Sequence, residues 1–151
     1  MDETGDELDW AVRTFVYGFV VERERPPSVA EAAAALRIEV DRARTAYERL
    51  DRRHALYLQP IGDAIRMAHP FSGVPTSFRV HTNDHTYWAN CAWDALGIPA
   101  ALHTDATIDA VLADDGGAAT IEVVGNKVYG EGQVVHVLRP FRAWYDDLVF
   151  T

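Results

Sequence analysis

The segment His69-Pro70-Phe71-Ser72-Gly73-Val74-Pro75-Thr76 ends one pattern of apolar spacing and opens another. Upstream of it, apolar residues recur at three- and four-residue intervals, the spacing of a helix face. Leu8, Val12, Phe15 and Phe19, with Val16 and Val20 beside them, predict a first helix. It runs out in Glu22-Arg23-Glu24-Arg25, before Pro26-Pro27. Ser28 with Glu31 three residues on predicts a capping box and a second helix through Leu36. After a turn at Arg37-Ile38-Glu39, a third helix is expected to about Arg53, with Val40, Ala43, Tyr47 and Leu50 as its apolar stripe. Ala55–Leu58 and Ala64–Met67 flank the turn chemistry of Pro60-Ile61-Gly62-Asp63 and predict a hairpin. Three helices and a hairpin are the order of a winged helix-turn-helix.

Downstream the runs are of β type. Ser77–Val80 and Thr86–Trp88 are expected as strands around a turn at Thr82-Asn83-Asp84. A short helix is predicted from about Ala89, through Cys91, to near Gly97-Ile98-Pro99. Thr107–Leu112, Ala119–Val124 and Val134–Leu138 are expected as strands, separated by Asp114-Asp115-Gly116-Gly117 and Gly125-Asn126-Lys127. The expected fold class is therefore α+β. Residues 1–70 form an N-terminal winged-helix-like three-helix module with a β-hairpin, and residues 71–151 a small, mostly antiparallel sheet domain with one short helix.

Composition excludes several classes. The 151 residues are 48% hydrophobic, enough for one ordinary domain or two very small ones. Apolar runs stay far short of the roughly 20 residues that cross a bilayer, and the acidic Met1–Glu7 segment is no secretory signal. A single cysteine excludes an internal disulfide, and the expected compartment is the cytoplasm. A net charge of −9 disfavours nonspecific attraction to nucleic acid or anionic membranes. The third helix carries Arg42, Arg44, Arg49, Arg52 and Arg53, but also Glu39, Asp41, Glu48 and Asp51. Its charges nearly cancel, whereas a DNA-reading helix presents an unbalanced basic face.

The chemistry points to Asn90-Cys91-Ala92-Trp93-Asp94. On a helix, residues three apart share a face, so the lone thiol and the carboxyl are expected to meet over one site. A thiolate is a soft nucleophile or metal ligand, and a carboxyl gives or takes a proton. A cysteine at the start of a helix is also expected to gain thiolate character and to react readily near neutral pH. Trp88 and Trp93 are expected in the core. His81 and His85 stand on either side of a turn and are not expected to share a metal, and His69 and His136 are expected to be structural. Asp114-Asp115-Gly116-Gly117 lacks the strand, lysine and helix of a phosphate loop.

Taken together, the winged-helix-like first half, Met67-Ala68-His69-Pro70-Phe71-Ser72-Gly73-Val74-Pro75-Thr76-Ser77-Phe78-Arg79-Val80, Asn90-Cys91-Ala92-Trp93-Asp94-Ala95-Leu96-Gly97-Ile98-Pro99-Ala100 and Gly132-Gln133-Val134-Val135-His136-Val137 resemble the alkylmercury lyase (organomercurial lyase) family. The kinship is with lyase-like homologues that carry the His-Pro-Phe-Ser block. The resemblance implies that Cys91 captures an organomercurial and that Asp94 delivers a proton to the leaving carbon. Mercury is then substrate and product, with no cofactor. The second thiol of the family belongs where this chain has Val134-Val135, so an external small thiol is implied as the missing soft ligand. Relatives with the same tail pattern continue beyond Leu148-Val149-Phe150-Thr151 with a cysteine- or selenocysteine-containing stretch, and a reading frame cut short there would also account for the missing ligand. Partners implied are an organometal or small-molecule ligand and small thiols, with no nucleic acid and no membrane. Two other readings stand beside this one: a noncatalytic metal- or ligand-binding sensor on the same scaffold, and a winged-helix DNA-binding regulator.

Overall fold

The computed structural model describes residues 3–130, 132–137 and 140–146. Helix α1 spans Glu3–Arg23, α2 Val29–Leu36 and α3 Val40–Arg52. On α1 the residues that disappear from solvent are Val12, Val16 and Val20, one per turn, while Phe15 and Phe19 flank them with ring centroids 5.7 Å apart. The capping box forms as expected: the Ser28 hydroxyl accepts from the Glu31 N–H, and the Glu31 carboxylate accepts from the Ser28 N–H at 2.8 Å. On α3, Ala43, Tyr47 and Leu50 are buried as expected and Ala46 joins them, but Val40 is 43% exposed. It occupies the first turn, before the helix meets α1 and α2. Three arginines of α3 and its C-cap pair with carboxylates of the protein itself. Arg49 grips the buried carboxylate of Asp9 on α1, and Arg53 reaches Asp6 at 2.7 Å. Arg44 pairs with Asp63 in the following turn.

Strands β1 (Tyr57–Leu58) and β2 (Ile65–Ala68) form the expected antiparallel pair, and β3 (Phe71–Ser72) adds a third strand. The His69–Thr76 segment thus does more than interrupt the pattern. Phe71 pairs with Ala68 and also makes an isolated bridge to Ala89, which joins the first sheet to the second. The second sheet holds β4 (Phe78–His81), β5 (Thr86–Trp88), β6 (Ala106–Val111), β7 (Ala118–Val124) and β8 (Lys127–Tyr129). Its order is β5-β4-β6-β7-β8 and every pairing is antiparallel. The fold class is α+β.

Three differences from expectation have local causes. Helix α4 spans Ala92–Leu102, so it begins three residues later than Ala89 and runs through Pro99. Pro99 forfeits one backbone bond, but it and Ile98 are buried, and packing outweighs the loss. The helix stops where His103 turns left-handed, at φ 51°. Strand β8 was hidden because its three residues are all exposed and show no alternation; it is reached through a tight turn with Gly125 at φ 55° and Asn126 at φ 62°. Residues 134–137 form no strand, and Val134 is 85% exposed. Leu138 and the Leu148–Thr151 tail, with the ligand expected beyond it, lie outside the described residues. Among the described residues no helix is long and apolar enough to cross a membrane.

The core is continuous. Val12, Val16 and Val20 of α1, Tyr47 and Leu50 of α3, Phe71, Tyr87 and Ile98, and Ile108 in the middle of the second sheet belong to one buried cluster.

Candidate functional site

Cys91 is the N-cap of α4, with φ −150° and ψ 179°, and Asp94 lies in the first turn. The thiol makes no capping hydrogen bond of ordinary length, although the Trp93 and Asp94 N–H groups lie close enough to favour its thiolate. Burial outweighs them. It pushes the Cys91 thiol above its ordinary pKa, and the nearby Asp94 charge pushes the same way. The expectation of a helix-start thiolate is corrected here: desolvation and a neighbouring anion defeat the helix terminus.

Asp94 is only 8% exposed. One oxygen, Oδ2, carries both of its side-chain contacts. Asn90 Nδ2 donates to it at 3.0 Å, and His69 Nδ1 lies at 3.2 Å. Asn90 Nδ2 also faces the carbonyls of Pro70 and Phe71 at 3.3 and 3.4 Å. Three acceptors around one amide nitrogen fix which way the amide points. Asn90 therefore ties the first turn of α4 to the segment entering β3. Its own Oδ1 is buried without a partner among the described residues.

His69 is held from two sides. Its carbonyl accepts from the Tyr17 hydroxyl of α1 at 2.9 Å, and its ring meets the Tyr57 ring edge-on at 5.3 Å. The Arg13 guanidinium stands 5.0 Å over the Tyr17 ring. Burial raises the Tyr17 pKa, Arg13 opposes that shift, and the Asp94 charge adds to it. Residues from α1 and β1 thus hold His69, which with Asn90 reaches the Asp94 carboxylate. His69, expected to be structural, places its Nδ1 against the Asp94 carboxyl. Nothing local announces a pairing across 25 residues. Asn90 is near Asp94 in sequence, but it precedes the N-cap of α4, so helical spacing did not announce the contact.

On the other side of α4, Ala92, Ala95 and Leu96 face a mainly apolar cavity of about 430 Å³. Phe78 and Ile108 of the sheet line it, and so do Val134, Val135 and His136. Val134 and Val135, where the resemblance places the second thiol, therefore border the same cavity as Ala92, the residue after Cys91. Trp93 is not a core residue but 64% exposed; Trp88 is half-buried beneath Arg79, 5.2 Å from its ring centroid. His81 pairs with Asp109 at 3.0 Å and His85 with Glu24 at 3.2 Å, so the two histidines face different carboxylates. Among the described residues no group of three or more His, Cys, Asp and Glu could hold a metal ion. What the site offers is one soft thiol and one buried carboxyl with a histidine behind it.

The profile of the alkylmercury lyase family matches residues 71–150. The chain belongs to that family. Among solved structures it is similar to the mercury-bound form of MerB2, with a TM-score of 0.61 and 20% identity over 83% of this chain. It spans 64% of that protein's length. At such identity the likeness shows a shared fold. No curated protein sequence matches the chain.

Proposed function

We propose that the protein binds organomercurials through Cys91 and cleaves the carbon–mercury bond with Asp94 as proton donor. The observation that carries this reading is the arrangement at α4: the sole thiol caps the helix, and a buried carboxyl sits three residues on in its first turn. A thiolate is the appropriate ligand for a soft metal. Capture exchanges the Cys91 thiol proton for the mercurial and passes that proton to the neighbouring Asp94 carboxylate, so the raised pKa of Cys91 slows the free thiol without preventing a strong sulfur–mercury bond. Proton transfer from the Asp94 carboxyl to carbon then breaks the carbon–mercury bond, releases a hydrocarbon and leaves Hg(II) on Cys91. A small external thiol supplies the second soft ligand, because the chain has one cysteine. The family match from residue 71 supports reading residues 71–151 as the lyase-like unit and residues 1–70 as a structural module in a cytoplasmic protein. The internal pairing of Arg44, Arg49 and Arg53 argues against a DNA-reading role for α3.

The lone thiol also favours a second reading, capture without turnover. Hydrocarbon release from an organomercurial, measured with and without excess small thiol, separates the two. Release that requires both Cys91 and added thiol supports the lyase. Stoichiometric binding with no hydrocarbon under either condition supports the sensor.

A further inference from the structure

We propose that the external thiol is a carboxylate-bearing one, and that a polar recess beside Asn90 holds its carboxylate on Arg66. This inference rests on the lyase reading above, which leaves the second soft ligand to a thiol from solution. The recess measures about 250 Å³, and Arg66 of β2, Ser72 of β3, Thr76, Ser77, Phe78 of β4 and Asn90 stand in its wall. No acidic side chain lines it, and among the described residues Arg66 has no carboxylate partner. The Ser72 and Thr76 hydroxyls are spent on the carbonyls of Val74 and Ala89. The Ser77 hydroxyl makes no hydrogen bond among the described residues. Asn90 turns its amide hydrogens to Pro70, Phe71 and Asp94, so it serves as wall and not as an anion donor. The recess therefore offers one guanidinium and one spare hydroxyl. A guanidinium presents a planar fork of donors that matches a carboxylate.

The placement ties this recess to the thiol. Asn90, the residue before Cys91, stands in the recess, and Ala92, the residue after it, lines the apolar cavity. Phe78 borders both spaces. Cys91 thus stands in the chain between an apolar wall and a cationic one. Neighbouring Cα atoms are about 3.8 Å apart, the scale of a two-carbon spacer between sulfur and carboxylate. In the step, the ligand's S–H gives its proton to buffer as its sulfur bonds the Hg(II) left on Cys91. The carboxylate keeps its charge on Arg66 throughout.

The test uses the full chain, phenylmercury, and two thiols of equal spacer, mercaptopropionate and mercaptoethanol. It reads the thiol concentration that gives half-maximal benzene release. Mercaptopropionate should half-saturate at a roughly 10-fold lower concentration, the low end for a hydrogen bond to a charged group. Arg66→Gln should erase that preference and leave the mercaptoethanol values unchanged, and Arg66→Lys should restore part of it. Propionate, which has the carboxylate without the sulfur, should raise the half-saturating concentration of mercaptopropionate several-fold and leave that of mercaptoethanol in place. Equal half-saturation by the two thiols, a preference that survives in Arg66→Gln, or propionate acting alike on both would each overturn the inference while leaving the lyase reading intact. Absence of benzene with either thiol would instead remove the lyase reading. Calorimetric titration of the Hg(II)-loaded chain with mercaptopropionate then decides the recess by itself. Binding should weaken roughly 10-fold in Arg66→Gln, and equal binding by the two proteins would overturn the inference.

Discussion

A thiol at a helix start usually gains thiolate character, and Cys91 shows how two neighbours reverse that. Burial disfavours its charge, and the Asp94 carboxylate opposes a second anion beside it, so the pKa rises. Alkylation by a thiol reagent should therefore lag behind a free cysteine at neutral pH and accelerate only in more alkaline buffer. Asp94→Asn removes the anion but keeps the backbone N–H groups, so the Cys91 pKa should fall and alkylation at neutral pH should speed up. A rate–pH profile of the two proteins checks both statements; identical profiles would mean that Asp94 does not act on the thiol. The same substitution should abolish hydrocarbon release while retaining mercurial binding, because it removes the proton and spares the sulfur.

Between elements, two charged contacts carry predictions of different kinds. Asp9 is 2% exposed and takes three contacts from Arg49, which pins α1 to α3. Removing Arg49 leaves the buried Asp9 carboxylate facing, among the described residues, only the more distant Arg53, at 3.5 Å. Arg49→Ala should therefore cost unfolding free energy, at most about 3 kcal/mol, the low end for breaking a buried pair, read from denaturant midpoints. Glu31, in contrast, is a surface group whose pKa is held down to about 2, first by the Arg25 guanidinium and then by the Ser28 N–H. A carboxylate with a lowered folded pKa stabilises the protein above its unfolded value of about 4.5 and loses that contribution as pH falls toward 2. Glu31→Gln keeps the capping hydrogen bond and removes the titration. Its stability should decline less steeply than the parent's across that acid window, as measured by chemical unfolding at stepped pH.

At the scale of the molecule, the shared core decides how the halves behave. The helices, the first sheet and the second sheet contribute to one buried cluster, and Phe71 stands at their junction. It is 3% exposed and packs edge-on against Tyr87 at 5.1 Å. Phe71→Ala should cost about 3–5 kcal/mol, in the range for emptying a large aromatic site. Unfolding should be a single transition, with helical circular dichroism and the fluorescence of Trp88 and Trp93 changing together. Two separated transitions would show that the halves fold independently. Residues 1–70 expressed alone should be less stable than the intact chain, because Val21 loses the Tyr87 hydroxyl and Glu24 loses His85.

The sequence by itself determined most elements of this protein. Helical spacing marked α1 to α3, Ser28 and Glu31 marked the start of α2, and turn residues marked the β1–β2 hairpin. These signals lie within a few residues of one another and need no distant partner. The Cys91–Asp94 spacing was legible for the same reason. Tertiary structure alone decided what that pair is worth. His69 reaches Asp94 across 25 positions, Tyr17 arrives from the first helix, and the burial that raises the Cys91 pKa comes from packing around α4. It also decided that β8 pairs although its residues show no alternation, and that α4 runs through Pro99. Local spacing sets which side chains share a face, but solvent exposure and partners depend on the chain that folds over them.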